Sequence, residues 1–371
     1  MTSLIAFENK KFLHNRKNWI VFGILLAALI VFIAVNRNLN QGKWSFRITS
    51  YQEELKSSQD GSEKINRQFD GTKMPASAEE VLREDRQEQD LLNEMITARQ
   101  AGDWKSELGA QIKKDQLELQ QISEGHLITG ETSEEIQERI ALNRALLEKN
   151  IRPLESENEM NGFNFLYRAL NDLFPFFIPV ILVLLSADAV TSETDAGTFK
   201  FLLLQPASRA KVLFSKWISC LLLGWAGVYG AFLLGFAGAC AVGGTGAPDY
   251  PVACYGNGRL QFMEVWRLVL QALPFALLFQ AFLVCLAFFV TSFSPNSASA
   301  ICISVILALA LNYAKSVPAL GAANPFSYGD CVPILTGKSG FGFAAGAPLL
   351  ALLGAVLLAA GAAIFRRRDI L

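Results

Sequence analysis

Histidine is almost missing from this chain: His14 and His126 are the only two among 371 residues. That scarcity excludes paired-histidine metal sites and histidine-based catalytic triads. His126 lies between Gly125 and Gly130 with no second histidine or cysteine nearby, and it reads as a solvent-facing turn residue. A phosphate-binding loop is also lacking. Gly337-Lys338-Ser339 imitates the end of one, but Val332 stands where the pattern needs glycine. The chain therefore offers no catalytic residues and binds no cofactor or metal of its own on this reading. Net charge is missing too, at −1, which gives no support to a nucleic-acid surface.

Charge is not scarce everywhere. From Arg37 to Glu159 it is dense, whereas Trp217–Pro248, Leu268–Ala314 and Ser339–Phe365 contain no Asp, Glu, Lys or Arg. A soluble protein would mix the two classes throughout. A bilayer core needs roughly 20 apolar residues in helical form. Trp19–Val35 supplies one such run, and Leu173–Ala187, lengthened by Asn164–Asn171, supplies a second. Leu268–Ala314 is long enough for two spans and is broken at Ser294-Pro295-Asn296. The expectation is six transmembrane helices. The first run has a long charged leader and no small-x-small cleavage site before Asn36, so it reads as a retained span.

Lysine and arginine set the orientation. Lys10, Lys11, Arg16 and Lys17 precede the first span, while Lys200, Arg209, Lys211 and Lys216 lie between the second and third. Arg366, Arg367 and Arg368 follow the sixth. The short opposite loops carry only Arg259, Arg267, Lys315 and Lys338. Both termini are thus expected in the cytoplasm, with the polar insertion after the first span outside.

That insertion reads as helical. Leu108, Ile112, Leu119 and Ile122 keep to one helical stripe, and Val81, Leu82, Leu92, Met95 and Ile96 suggest an earlier helix. Thr132 followed by Glu135 fits a capping box opening a helix with Ile136, Ile140 and Leu147. A helical hairpin standing off the membrane is the expectation. It would serve either as a gate or docking surface for cargo or as a spacer pairing with a second subunit.

Other features carry less. Cys220, Cys285 and Cys302 fall in spans and Cys240 near the end of one. Cys254 and Cys331 fall in different outer loops and form a candidate bridge in an oxidising compartment. Asp172 and Asp188 lie near opposite ends of the second span, where ionisable groups are costly unless interfacial. Pro175, Pro179 and Pro274 can kink their helices. Glycine and alanine crowd Gly224–Gly238 and Gly346–Ala363, which permits close helix approach and is read here as subunit packing.

The most informative stretch runs from Asp188 through Glu193, Gly197, Thr198, Phe199, Phe201, Leu202 and Pro206 to Arg209. An acidic residue ending the second span, then Gly-Thr, a short apolar helix, Pro-x-Ser-Arg and a lysine opening the third span resemble the ABC-2 permease family. The leader with Phe7, Glu8 and Phe12 is similar to that family's elbow helix, and the tail Phe365-Arg366-Arg367-Arg368-Asp369-Ile370 to its ending. The resemblance implies an all-α membrane protein built from an elbow helix (1–18), a first span (19–36), an extracytoplasmic domain (37–160) and five further spans (161–371). Segment 189–211 would be the coupling segment. It further implies an exporter subunit in a bacterial plasma membrane, working with a second permease copy or a paralogue and with a pair of ABC ATP-binding subunits that hold ATP and Mg. Phe199, Phe201 and Leu202 would form the apolar docking surface, with Glu193 and Arg209 orienting it. A mechanotransmitting permease and a membrane-anchored receptor or assembly protein are the alternatives.

Overall fold

Six charge-poor stretches become six helices long and apolar enough to cross a membrane. They are seen in a computed structural model that describes residues 2–70, 73–125, 130–198, 208–256 and 258–367. Helix α1, Thr2–His14, precedes the first span, α2, Arg16–Asn40. Asn15 separates them by accepting a hydrogen bond from the Lys17 backbone N–H at 3.0 Å. The second span starts as α7, Gly162–Arg168, widens into a π-turn at Ala169–Leu173 and continues as α8, Phe174–Ser186. Pro175 has no N–H to return to the preceding turn, and the wide turn absorbs that defect. A short helix α9, Thr191–Asp195, ends this span. The third span is α10, Arg209–Gly243. The fourth and fifth, α11 (Val265–Phe293) and α12 (Ser297–Ala314), part at Ser294-Pro295-Asn296 as expected. After a short helix α13, Cys331–Leu335, the sixth span is α14, Phe343–Arg367.

One apolar core unites the spans, from Phe12 and Leu25 through Phe165, Ile178 and Val228 to Phe279, Phe288 and Phe326. The glycines of α10 serve this core. A side chain at Gly227 would strike the Phe22 ring, and one at Gly235 would strike Phe165. The glycine-rich stretch therefore brings neighbouring helices of the same chain together, where the sequence suggested subunit packing. On α14, Gly346 likewise makes room for Tyr328.

The insertion holds four helices among the described residues, not the expected hairpin: α3 (Lys43–Gln68), α4 (Ala76–Gln100), α5 (Trp104–Glu124) and α6 (Ser133–Glu148). Helix α3 follows the first span after a turn at Gly42, whose φ of +79° suits glycine. It buries none of its residues fully, although Trp44, Ile48, Tyr51 and Leu55 recur at helical spacing along one face. Tyr51 and Leu55 nevertheless pack on Leu92, Met95 and Ala110. The stripe of α5 meets Ile136 and Ile140 of α6. The Thr132–Glu135 capping box is formed in both directions. At the base of the domain, Arg99, 4% exposed, pairs with Glu107 at 3.0 Å and with Glu155.

A two-stranded antiparallel ribbon, β1 (Pro251–Gly256) and β2 (Arg259–Glu264), joins the third and fourth spans. The Asn257-Gly258 dipeptide is a strong hairpin signal that the all-helical expectation passed over. The ribbon bridges the insertion and the bundle. Tyr255 donates from its hydroxyl to Glu138 of α6, and its backbone N–H donates to the Thr336 carbonyl at 2.7 Å. Lys149 reaches Glu264 at 3.0 Å. Cys254 and Cys331 are free thiols, which corrects the candidate bridge. Cys331 is packed into the core of the bundle, while Cys254 sits on the ribbon outside that core and donates to the Val252 carbonyl.

Candidate coupling site at the leader end of the bundle

Helix α1 lies along the start of α10, and what holds it there is a chain of paired charges centred on buried Glu8, Glu193 and Lys216. Glu8, on the turn before Phe12, is 6% exposed although it is an acid. Its carboxylate accepts from Lys216 Nζ at 2.9 Å. The same ammonium donates to Glu193 Oε1 at 2.6 Å. Lys11, one turn of α1 beyond Glu8, donates to that Glu193 oxygen as well. Lys17, in the first turn of α2, donates to Asp188 and to the Leu184 carbonyl, the latter at 2.7 Å. Three parts of the chain are thereby tied at one level: α1 with the start of α2, the end of the second span, and the start of the third.

The local sequence explains why these groups can be spared from water. Phe12 is buried in the bundle core and fixes the face of α1 that carries Glu8. Asn18 donates to the Phe12 carbonyl at 2.9 Å and Ser219 to the Ile5 carbonyl at 3.3 Å, so both ends of α1 are pinned. A buried charge is tolerable only when paired, and removing one partner from such a pair costs roughly 3–5 kcal/mol. Glu8, Lys11, Glu193 and Lys216 balance two against two. Glu193 Oε2 accepts no hydrogen bond among the described residues, leaving half of that carboxylate unused.

Glu193 opens into the segment singled out by the sequence. Gly197 has φ of +65°, which lets the chain turn at the end of α9. The Thr198 backbone N–H then returns to the Glu193 carbonyl at 3.0 Å. Asp195 accepts from the Ser297 backbone N–H at 2.9 Å, fastening α9 to the break between the fourth and fifth spans. Phe199, Phe201, Leu202 and Pro206 lie outside the described residues. Ser208 caps α10, and Arg209 donates to the Arg366 carbonyl at 3.2 Å, next to the end of the sixth span. Phe7 is 55% exposed and does not share the buried face of Glu8 and Phe12.

Two sequence expectations change here. Glu193 does not present its carboxylate at a free surface; it is 3% exposed and internal. Lys216 was placed with the cations at the membrane surface, yet it too is 3% exposed and central to the cluster. The partners stand 208 and 23 residues from Lys216, so only the fold brings them together. An unexplained glutamate in the leader beside a lysine one turn on was the available signal.

Residues 3–370 match the family described as "ABC-2 family transporter protein". The chain belongs to that family. A relative, "Uncharacterized protein YhcI" of Bacillus subtilis (strain 168), is 28% identical over 137 residues, covering 36% of this chain and 39% of that protein. The match to the relative thus spans well under half its length. As an ABC-2 family transporter protein the chain is a multi-pass membrane component of a transport system, in keeping with its six apolar helices.

Proposed function

We propose that this chain is the membrane-spanning subunit of an ABC-2 exporter, driven by separate ATP-binding subunits that dock on segment 193–209. Two permease copies, identical or paralogous, would enclose the path, and ATP with Mg would sit on the docked subunits. The substrate would be a peptide, drug or lipid, and the membrane a bacterial plasma membrane with both termini in the cytoplasm. The observation that carries this reading is the buried cluster at the base of the segment. A force applied to 193–209 reaches Glu193 first, and Glu193 is bonded through Lys216 and Lys11 to α1 and the third span. Displacing it therefore moves three elements and not one.

Phe199, Phe201 and Leu202 would supply the apolar contact with the docked subunit, and Gly197 and Thr198 the turn that presents them. Phe201→Asp places an unpaired charge in that contact and is expected to release or uncouple the ATPase. The measurement is co-purification of the ATP-binding subunit together with substrate-stimulated hydrolysis in liposomes. Normal assembly with normal coupled turnover would remove the basis of the proposal.

A further inference from the structure

Between α3, α5 and α6 of the insertion lies a cavity of about 530 Å³, closed at its base by Pro153, Leu154 and Tyr250. Its size falls within the range of small-molecule sites, and it combines apolar walls with converging polar groups as such sites do. A second cavity of about 320 Å³ shares Pro153, Leu154 and Tyr250 and continues to Asn161, Gly243 and Val265, where three spans end. Pro153, Leu154 and Tyr250 thus stand between the first cavity and one at the mouth of the bundle.

Its charges are unevenly satisfied. Four carboxylates, Glu54, Glu107, Glu118 and Glu131, line it against three cations, Arg47, Lys114 and Arg139. The cations are engaged. Lys114 is 2.5 Å from Glu54, Arg139 bonds Asp115 at 3.0 Å and Glu131 at 2.6 Å, and Arg47 donates to the Glu155 carbonyl at 2.8 Å. Glu107 is held by Arg99. Glu118 is the least tightly held carboxylate: its ion pair with Arg139 is 3.5 Å long, and Arg139 is shared with Asp115 and Glu131. Burial, together with the charges of Glu131 and Asp115 and against those of Lys114 and Arg139, holds its carboxyl above the ordinary value.

A second, independent observation points the same way. Asn143, one turn along α6 from Arg139, lines the cavity and is 8% exposed. Its side-chain amide makes no hydrogen bond among the described residues. An amide with no protein partner is available to a ligand with a polar head. Leu142, Leu146 and Pro153 offer apolar surface beside it.

We propose that this cavity binds a small organic cation with an apolar body, its ammonium taken by Glu118 and by the Asn143 side-chain oxygen. An anion is disfavoured, because every lining cation is already committed and the surplus charge is negative. The site requires no nucleotide and no ATPase, so it stands or falls apart from the export reading.

The test is isothermal titration calorimetry on the full chain in detergent with three indoles that differ in their head group. Tryptamine carries the cation, tryptophol is neutral and indole-3-propionate is an anion. Tryptamine should bind and the other two should bind at least about ten-fold more weakly, the loss expected for a charge-assisted hydrogen bond. Glu118→Gln should weaken tryptamine by a similar factor with the melting temperature unchanged. Asn143→Asp, which adds a carboxylate, should tighten it, a gain that misfolding cannot produce. No tryptamine binding, equal binding of all three compounds, or no response to either substitution would overturn the proposal.

Discussion

Glu193 and Lys216 join the end of the second span to the start of the third through a 2.6 Å ion pair in which each side chain is 3% exposed. Ion pairs in such surroundings are poor sources of net stability, since desolvation offsets most of the attraction. They are strict about partners, however. Lys216 also holds Glu8 at 2.9 Å, so the geometry of α1 depends on the same ammonium that orders the turn after the second span.

Lys216→Met should therefore be much worse than loss of a surface charge. It strands Glu8 and leaves Glu193 with Lys11, and the expected cost is about 3–5 kcal/mol. Thermal unfolding in detergent measures this. Adding Glu8→Gln should restore part of the loss, because one stranded carboxylate is then neutral. If Lys216→Met melts with the parent, the cluster does not hold the leader.

The base of the insertion should respond to acid through Glu155. Burial pushes this carboxyl upward, but hydrogen bonds and charge from Arg99 and Arg152 outweigh it and hold the group below its ordinary 4.5. A depressed acid contributes stability that is complete above the unfolded value and lost as pH falls through the folded one. Glu155→Gln should lower the melting temperature at pH 7, and the gap from the parent should close progressively below pH 4.5. A gap that stays constant as pH falls below 4.5 would contradict this account.

Gly337, part of the misleading Gly-Lys-Ser tripeptide, has a structural reason to be glycine. Its φ is +72°, and a side chain there would collide with the Tyr255 carbonyl. Gly337→Ala should cost roughly 1–3 kcal/mol through strain and loosen the ribbon from the Thr336 carbonyl. Faster amide exchange at Tyr255 is the measurement, and unchanged protection there would be the contrary result.

Orientation is open to direct labelling. Single cysteines at Ser123 and Ser208, both exposed, should separate the two sides of the membrane. An impermeant thiol reagent on intact cells is expected to label the first and spare the second. The reverse pattern would invert the topology drawn from the lysines and arginines.

Runs without charge made the six spans legible, and Ser294-Pro295-Asn296 marked the division of the fourth from the fifth. The insertion was legible where an apolar stripe existed, at Leu108, Ile112, Leu119 and Ile122. It was overlooked in α3, whose short stripe of Trp44, Ile48, Tyr51 and Leu55 includes no fully buried residue. The ribbon was missed although Asn257-Gly258 signalled it. The charge cluster was only hinted at, by Glu8 with Lys11 one turn on, because pairing is a property of the fold: nothing near Glu8 in the sequence names Lys216. Glu193 looked like a surface acid because surface is where unpaired acids belong. The docking residues Phe199, Phe201, Leu202 and Pro206 rest on the family resemblance.

Seating α1 against α10 has a consequence for the order of assembly. The chain is made from its N-terminal side, and Glu8 is synthesised 208 residues before the lysine that neutralises it. Glu193, the partner of Lys11, follows 182 residues after that lysine. Until the second and third spans have been inserted, α1 has neither its counter-charges nor the groove that covers Phe12. Nascent chains arrested before residue 216 should leave α1 open to protease, and longer ones should protect it. Helix α1 is made well before its seat exists.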